Sequence, residues 1–283
     1  MKPKITVGKH SGFCFGVKRA YDLACANTKN RADVFILGKL VHNNEVCRVL
    51  EKRGVGEIKS LDDIKSGTVI FTAHGVGPEL HEKAAAKGLK IVDTTCPKVM
   101  KAQRLAKLYA DKKYQVIIFG DKKHKEVKSI RAWTKNKAKI IGAFDELKKL
   151  KSILNKQHCL ISQTTQDTEE FGKIVEYLKK KLKNFVYFNT ICESTNDRQN
   201  EVRRLAKKND AVIVIGGSDS ANTRMLHKIS KKINPKSYLI ENSKQLKKSW
   251  LNGIKKIVIS AGASTPEWVI KEVTSKINSY IRT

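Results

Sequence analysis

Short apolar runs recur along this chain and alternate with longer stretches in which apolar residues return every three or four positions. The apolar runs are continuous rather than alternating, so they predict strands buried on both faces of parallel sheets. The amphipathic stretches between them predict helices, and the resulting βαβ series is typical of an α/β fold. The predicted strands are residues 34–37, 68–72, 116–119, 159–162, 211–215 and 257–260. The predicted helices are residues 98–112, 169–183, 199–208 and 265–278.

Three cysteines occupy equivalent places in this series. Cys14, Cys96 and Cys192 each follow a strand-like run and open a helical stretch. Because the arrangement occurs three times, it predicts three similar α/β lobes with parallel sheets, in pseudo-three-fold symmetry around a central cavity. The last helix has two candidate positions, in its own lobe or back against the first. The predicted lobes are residues 1–95, 96–190 and 191–283.

Polar residues accompany the cysteines at the ends of predicted strands. The residue 28 positions after each cysteine is polar, and a second polar residue ends a further strand of each lobe. Since ligands of parallel α/β sheets gather at the carboxyl ends of the strands, we expect all six side chains to line the cavity. They are His42 and His74 in the first lobe, His124 and Thr164 in the second, and Ser220 and Ser264 in the third.

The chemistry of three thiols at helix starts points to a metal centre. The cysteines form no CxxC pair, so a zinc site of that type is unsupported. A helix start favours the thiolate, and thiolates are soft ligands that suit iron–sulfur clusters. Three thiolates predict one [4Fe–4S] cluster per chain with one open iron that can act as a Lewis acid. Any one cysteine alone is more typical of a buried core residue. That is our interpretation of Cys25, Cys47 and Cys159.

The remaining polar groups suit anion binding and proton transfer. His42 and His74, with Ser220, Asn222 and Ser264, supply donors, and both serine loops join a strand to a helix as phosphate cradles do. No Walker loop or GxGxxG motif is present, so nucleotide binding is not indicated.

The stretch from His124 to Glu126 follows a strand, and Thr164 ends the next strand of the same lobe. A carboxyl group beside an imidazole and a hydroxyl can relay protons if water is excluded. The alternative for Glu126 is a solvated glutamate in the first turn of a helix.

The formal net charge of +30, from 57 Lys and Arg against 27 Asp and Glu, raises the possibility of nucleic-acid binding. The lysines are spread along the chain and no nucleic-acid-binding motif is visible, so a solvated basic surface is the favoured interpretation. Such a surface attracts small anions or an acidic electron-donor protein. No apolar run is long enough to span a membrane, and the start of the chain lacks a signal-peptide core. We therefore expect a cytoplasmic protein with reduced thiols.

Eight motifs, in order, give the chain a specific resemblance to a known family. They are Gly12-Phe13-Cys14-Phe15-Gly16-Val17, His42-Asn43, Ala73-His74-Gly75-Val76, Thr94-Thr95-Cys96-Pro97, His124-x-Glu126, Gln163-Thr164-Thr165, Asn189-Thr190-Ile191-Cys192 with Arg198-Gln199, and Gly262-Ala263-Ser264. Over nearly its whole length the chain resembles the 4-hydroxy-3-methylbut-2-enyl diphosphate reductases, which complete the non-mevalonate (MEP/DOXP) pathway of isoprenoid biosynthesis.

The resemblance implies an oxidoreductase that removes the substrate hydroxyl group with two electrons and two protons, and forms isopentenyl and dimethylallyl diphosphate. It implies that Cys14, Cys96 and Cys192 hold the [4Fe–4S] cluster and that a low-potential donor such as ferredoxin or flavodoxin supplies the electrons. Glu126 is implied to be the proton donor, with Thr164 and His124 as its catalytic neighbours. The residues implied to bind the allylic diphosphate are His42, His74, His124, Thr164, Thr165, Ser220, Ala221, Asn222 and Ser264.

The chain departs from the family pattern at two positions. Ala221 stands where the family commonly has a second serine, and Lys125 stands where it often has proline. We expect a backbone N–H to remain at the first position and the lysine side chain to face solvent. Two other functions stay open, a non-redox iron–sulfur hydro-lyase and a basic nucleic-acid-binding protein.

Overall fold

The computed structural model describes residues 3–28, 33–147 and 157–282, in which strands and helices alternate. The strands are β1 (Lys4–Val7), β2 (Val34–Leu37), β3 (Gly56–Ile58), β4 (Thr68–Phe71), β5 (Lys90–Asp93), β6 (Gln115–Phe119), β7 (Lys139–Ile141), β8 (His158–Ser162), β9 (Phe185–Tyr187), β10 (Ala211–Ile215), β11 (Ser237–Ile240) and β12 (Lys256–Ala261). The α-helices are α1 (Phe15–Asn27), α2 (Asn44–Glu51), α3 (Pro78–Ala86), α4 (Pro97–Asp111), α5 (Lys125–Ala132), α6 (Phe144–Leu147), α7 (Thr168–Lys181), α8 (Glu193–Lys208), α9 (Ala221–Ile233) and α10 (Glu267–Arg282). Short 3-10 helices lie at Leu61–Asp63, Ser243–Gln245 and Lys248–Leu251.

The strands form three four-stranded sheets, and each pairing that the structure describes is parallel. The first sheet has the order β3-β2-β4-β5, the second β7-β6-β8-β9 and the third β1-β12-β10-β11. The α/β fold class with parallel sheets is therefore confirmed.

The central strands are apolar throughout because both of their faces are covered. All five residues of β10 are buried, and its side chains alternate between two separate cores. Ile213 and Ile215 pack with α10 on one face, whereas Val212 and Val214 pack with α8 and α9 on the other. In β6, Ile117 and Phe119 likewise lie in one core, whereas Val116 and Ile118 lie in another. Continuous Val and Ile runs are the composition that such two-sided burial requires.

The first strand of the chain belongs to the third sheet. β1 pairs with β12, with Lys4 opposite Lys256 and Val7 opposite Ile259. Lobe boundaries at residues 95 and 190 stay a prediction, but β1 lies with the last segment of the chain and not with β2 to β5. The final helix α10 packs its buried face against the same sheet, in one core with Ile5 of β1. It thus remains with its own segment.

The chain divides into two compact units. The third-sheet unit comprises Met1–Val17, His42–Arg48 and Glu193–Thr283, and the two-sheet unit comprises Lys18–Val41 and Val49–Cys192. Within the two-sheet unit, the carbonyl of Val76 accepts hydrogen bonds from Gln103 of α4 (3.3 Å) and from the Trp133 indole at the end of α5 (3.0 Å). Among the described residues, no helix is long and apolar enough to cross a membrane.

Candidate active site

Each of the three predicted cysteine ligands follows an edge strand of a sheet. Cys14 comes after β1, Cys96 after β5 and Cys192 after β9. In every case the backbone N–H of the cysteine donates to a carbonyl just past the neighbouring strand. One repeated hydrogen bond thus anchors each cysteine at the carboxyl edge of its sheet. The accepting carbonyls are, in the same order, those of Ala263 (3.1 Å), Ala73 (3.1 Å) and Thr164 (2.9 Å).

The three thiols lie at the starts of helices. Cys14 immediately precedes α1 and Cys192 immediately precedes α8, while Cys96 is the N-cap of α4. All three residues are half-buried. The positive end of a helix dipole favours the thiolate over the thiol, and a thiolate is the form that binds iron. The donor set therefore fits an iron–sulfur group.

The other cysteines have different surroundings. Cys159 lies within β8 and is fully buried, and burial raises the pKa of its thiol to about 12. Its interpretation as a core residue is confirmed. Cys25 in α1 and Cys47 in α2 are half-buried, so they lie at the margin of the core.

The six companion residues lie just past the two central strands of each sheet. His42, His124 and Ser220 each come five positions after the last residue of a strand, namely β2, β6 and β10. The placement at strand ends that the spacing predicted is confirmed. The strands β4, β8 and β12 are followed, at two or three positions, by His74, Thr164 and Ser264.

Glu126 is a buried carboxyl group in the two-sheet unit. It is the second residue of α5 and only 3% exposed. Its Oε1 accepts the backbone N–H of Thr164 (2.6 Å), and its Oε2 accepts the Thr164 hydroxyl (2.8 Å). Burial raises the pKa of Glu126 to about 7, although the two hydrogen bonds from Thr164 act in the opposite direction. This burial excludes a solvated glutamate, and the carboxyl group can exchange a proton near neutral pH.

Thr164 joins two parts of the site. Its backbone N–H and hydroxyl hold Glu126, while its carbonyl accepts the N–H of Cys192. The adjacent Gln163 is fully buried and fixes the turn, since its Oε1 accepts the N–H of Asp121 (3.0 Å). Its amide also donates to the hydroxyl of Thr165 (2.9 Å). The turn after β8 is therefore held by its own side chains before any ligand binds.

His124 is held by the same helix as Glu126. It is the N-cap of α5, and its Nδ1 accepts the backbone N–H of Glu126 (3.2 Å). In the neutral ring this bond places the proton on Nε2. The His124 ring lies edge to face with that of His74, with ring centroids 5.4 Å apart. Lys125 is exposed, as expected, and its ammonium group lies close to Gly38.

A glycine fixes the position of His74. Gly75 has a φ of +72°, a region that favours glycine, and a Cβ there would overlap the Gln103 amide and lie 2.9 Å from a methyl group of Thr95. The Gln103 amide is in turn bound to the hydroxyl of Ser129 (2.6 Å). The close approach of these groups explains why a glycine follows the histidine.

The third-sheet unit carries the serine and amide donors. Ser220 caps α9 by accepting the N–H of Thr223 (3.4 Å), and Ala221 is the first residue of that helix. Asn222 is only 4% exposed, yet neither polar atom of its side chain has a hydrogen-bond partner among the described residues. Buried polar atoms without partners are rare and costly, so the Asn222 side chain is a candidate for binding a polar ligand. Ser264 is also buried, and its hydroxyl donates to the carbonyl of His42 (3.3 Å).

Arg198 has a structural role that the sequence motifs did not predict. Its guanidinium group donates to the carbonyl of Gly12 (2.7 Å) and to that of Ser194 (2.8 Å), and the residue is only 5% exposed. Arg198 thereby holds the loop that leads to Cys14. The signal was an arginine on the apolar face of α8, four positions before the buried Val202.

A family model described as LytB protein matches residues 5–278. The chain belongs to the LytB family. The resemblance seen in the motifs is thereby confirmed. The 4-hydroxy-3-methylbut-2-enyl diphosphate reductase of Campylobacter hominis is 42% identical over 281 residues, which are 98% of this chain and 99% of that protein. The reductase of the same name from Caldanaerobacter subterraneus subsp. tengcongensis is 40% identical, over 98% of this chain and 97% of its own length.

Solved structures of the LytB family show the same fold. A structure described as (E)-4-hydroxy-3-methyl-but-2-enyl diphosphate reductase, the terminal enzyme of the non-mevalonate pathway, matches 99% of this chain at 36% identity with a TM-score of 0.70. The E-1-hydroxy-2-methyl-but-2-enyl-4-diphosphate reductase of Plasmodium falciparum matches 99% of this chain and 88% of its own at 30% identity, with a TM-score of 0.92.

Proposed function

We propose that this chain reduces (E)-4-hydroxy-3-methylbut-2-enyl diphosphate to isopentenyl diphosphate and dimethylallyl diphosphate, the terminal step of the non-mevalonate pathway. The reaction consumes two electrons and two protons, breaks the bond between C4 and its hydroxyl oxygen, and releases one water. The observation that carries the proposal is the buried Glu126, with a pKa of about 7 and both oxygens bound to Thr164. Two relatives that match 98% of this chain bear the name of this reductase.

Three lobes, one for each sheet, would hold the reaction centre. Cys14, Cys96 and Cys192 would bind one [4Fe–4S] cluster as thiolates, which their places at helix starts favour. The bound cluster supplies electrons and, at its open iron, a Lewis acid for the substrate hydroxyl. The chain's own contribution is to hold each thiolate by the backbone hydrogen bond at its sheet edge.

The diphosphate group would be bound by donors from all three sheets. His42, His74 and His124 supply imidazole N–H groups, while Thr165 and the backbone N–H of Ala221 lie at strand–helix junctions, where N–H groups commonly bind phosphate. The partnerless amide of Asn222 supports this assignment, since a diphosphate would accept its hydrogen bonds. The other donors proposed for this group are Ser220, Ser264 and Thr164.

Glu126 would deliver the proton to the substrate. A carboxyl group with a pKa near the working pH is half protonated, which favours transfer in both directions. The Thr164 hydroxyl donates to the Glu126 carboxylate and would hold it in place. The Nδ1 of His124 accepts the backbone N–H of Glu126 and would orient the first turn of α5. Protonation of an allylic carbon at either end then gives the two products.

The electrons would come from a low-potential donor protein such as a ferredoxin or a flavodoxin. The net charge of +30 supports an acidic partner, because opposite charges accelerate encounter. A cytoplasmic place of action belongs to the proposal, since thiolate ligands must remain reduced.

The deciding experiment measures anaerobic reduction of the allylic diphosphate by wild type and by Glu126→Gln with a low-potential donor. We expect the variant to lose about 10²- to 10⁴-fold in turnover while it retains its iron. The matched control is Glu169→Gln, an exposed glutamate that is likewise the second residue of its helix, and we expect it to keep full activity. Full turnover by Glu126→Gln would disprove the proton donor, and turnover without a reductant would indicate a hydro-lyase instead.

A further inference from the structure

His42 has a carboxylate partner that no motif predicted. Its Nδ1 lies 3.2 Å from Oδ2 of Asp219, and both residues belong to the third-sheet unit. The imidazole side chain is 16% exposed, whereas the carboxylate is 48% exposed. The carboxylate is therefore the more exposed of the two side chains. We call these two side chains the His42–Asp219 pair.

The backbone of His42 is fixed without help from Asp219. Its carbonyl accepts the hydroxyl of Ser264 (3.3 Å), and Gly217 packs so closely on this carbonyl that any Cβ would overlap it. The next residue, Asn43, is buried and accepts the backbone N–H groups that open α2. Removal of the Asp219 carboxylate should therefore leave the backbone in place and release only the ring.

The loop that carries Asp219 is also fixed by other groups. The N–H and hydroxyl of Ser218 both donate to Glu241 (2.9 and 2.7 Å), and Asn44 donates to the other oxygen of the same carboxylate (3.0 Å). On the other side, the N–H of Ser220 donates to the carbonyl of Gly217 (3.0 Å). Ser218 and Ser220 thus help to fix the loop through hydrogen bonds of their own, and the Asp219 side chain contacts His42.

The chemistry of the pair decides which nitrogen of His42 carries a proton. An ionised carboxylate only accepts hydrogen bonds, so a bond at 3.2 Å requires a proton on Nδ1 of the ring. If the ring is neutral, Nε2 is then an acceptor and would face a diphosphate, which is also an acceptor, without a hydrogen bond. The adjacent negative charge favours the doubly protonated ring, in which Nε2 donates as well.

We infer that Asp219 is a positioning residue, which holds His42 as an imidazolium with Nε2–H directed to a phosphate ligand. The inference rests on the proposed function in so far as the ligand is the diphosphate of the substrate. Asp219 itself does not touch the ligand, because its own charge would repel it.

The first test observes the ring directly. In the full chain labelled with ¹⁵N-histidine, the His42 signals are assigned by their loss in His42→Gln. We expect both ring nitrogens of wild-type His42 to be protonated at neutral pH, and Asp219→Asn to shift Nδ1 towards the unprotonated position. The control Asp22→Asn removes the same charge from an exposed pair on α1 and should leave the signals unchanged. If the ring-nitrogen signals of His42 were the same in Asp219→Asn as in wild type, the inference would be overturned.

The second test measures affinity. We expect Asp219→Asn to weaken the binding of inorganic diphosphate and to raise KM by about five- to tenfold, with kcat within about twofold, because a charge-assisted bond at a partly exposed site is worth this much. In a His42→Gln background the same substitution should have no further effect. The inference would be overturned if Asp219→Asn weakened diphosphate binding equally in the His42→Gln background. It would also be overturned if the protonation of the His42 ring changed while the affinity for diphosphate did not. If the wild type binds diphosphate but reduces no substrate, only the proposed function fails.

Discussion

The buried carboxyl group of Glu126 makes the stability of the fold depend on pH. A glutamate has an ordinary pKa of 4.5, and in this fold the pKa of Glu126 is about 7. Between these values the folded chain binds a proton that the unfolded chain has already released. The free energy of unfolding therefore falls as pH rises through this window, by about 3 kcal/mol at 1.36 kcal/mol for each pKa unit.

The substitution Glu126→Gln removes this titration and keeps the shape of the side chain. The amide oxygen can still accept the backbone N–H of Thr164, and the Thr164 hydroxyl can turn to accept the amide N–H. Below a pH of about 4.5 the wild-type group is neutral in both states, so the two proteins should have similar stability. Above a pH of about 7 the variant should be more stable by the full ~3 kcal/mol.

The measurement is urea unfolding of cluster-free wild type, Glu126→Gln and the control Glu169→Gln at a series of pH values. Other titrating groups are common to all three proteins and cancel in the differences. An infrared titration of the protonated carboxyl band, taken as wild type minus variant, gives the pKa independently. If the stability curves of wild type and Glu126→Gln ran parallel across the window, the raised pKa would be refuted.

Four further predictions test other parts of the site. Arg198→Met should leave the Gly12 carbonyl without its donor and lower the free energy of unfolding, measured by thermal unfolding, by about 1–3 kcal/mol. The iron content should also fall, and an unchanged iron content would show that the loop does not need this anchor. Gly75→Ala should lower the free energy of unfolding by at least about 1 kcal/mol because of the positive φ of Gly75. Urea unfolding measures this change, and an unchanged stability would contradict the prediction. Thr164→Val removes a hydrogen bond that lowers the pKa of Glu126, so the infrared pKa should rise further, whereas Thr164→Ser should preserve it. Reduction by an acidic donor should slow steeply with added salt, measured as the initial rate at fixed donor, while an uncharged chemical reductant should show little salt effect.

Much of this architecture could be predicted from the sequence. The continuous apolar runs located all six central strands, because two-sided burial demands that composition. Short edge strands such as β3 and β7 carry no such signal, because each has three residues and only one of the three is buried. The predicted helix at 199–208 begins six residues late, because the first turns of α8 are polar and show no apolar spacing.

The positions of the three cysteines and of the residues past each strand end were predictable, because residue type and spacing repeat there. Its supports were not predictable, because they join residues far apart in the chain. Arg198 and Gly12 are 186 positions apart, and Asp219 and His42 are 177 apart. The raised pKa of Glu126 likewise depends on burial that a first-turn glutamate does not reveal in sequence.

The pairing of β1 with β12 has a consequence for synthesis of the protein. Lys4 pairs with Lys256, which is synthesised 252 residues later (256 − 4). β1 must therefore remain unpaired until β12 has been synthesised. The backbone partner of Cys14, Ala263, arrives later still. A chain that stops before β12 cannot form this anchor, so the cluster proposed to be held by Cys14 should fail to load in chains truncated there.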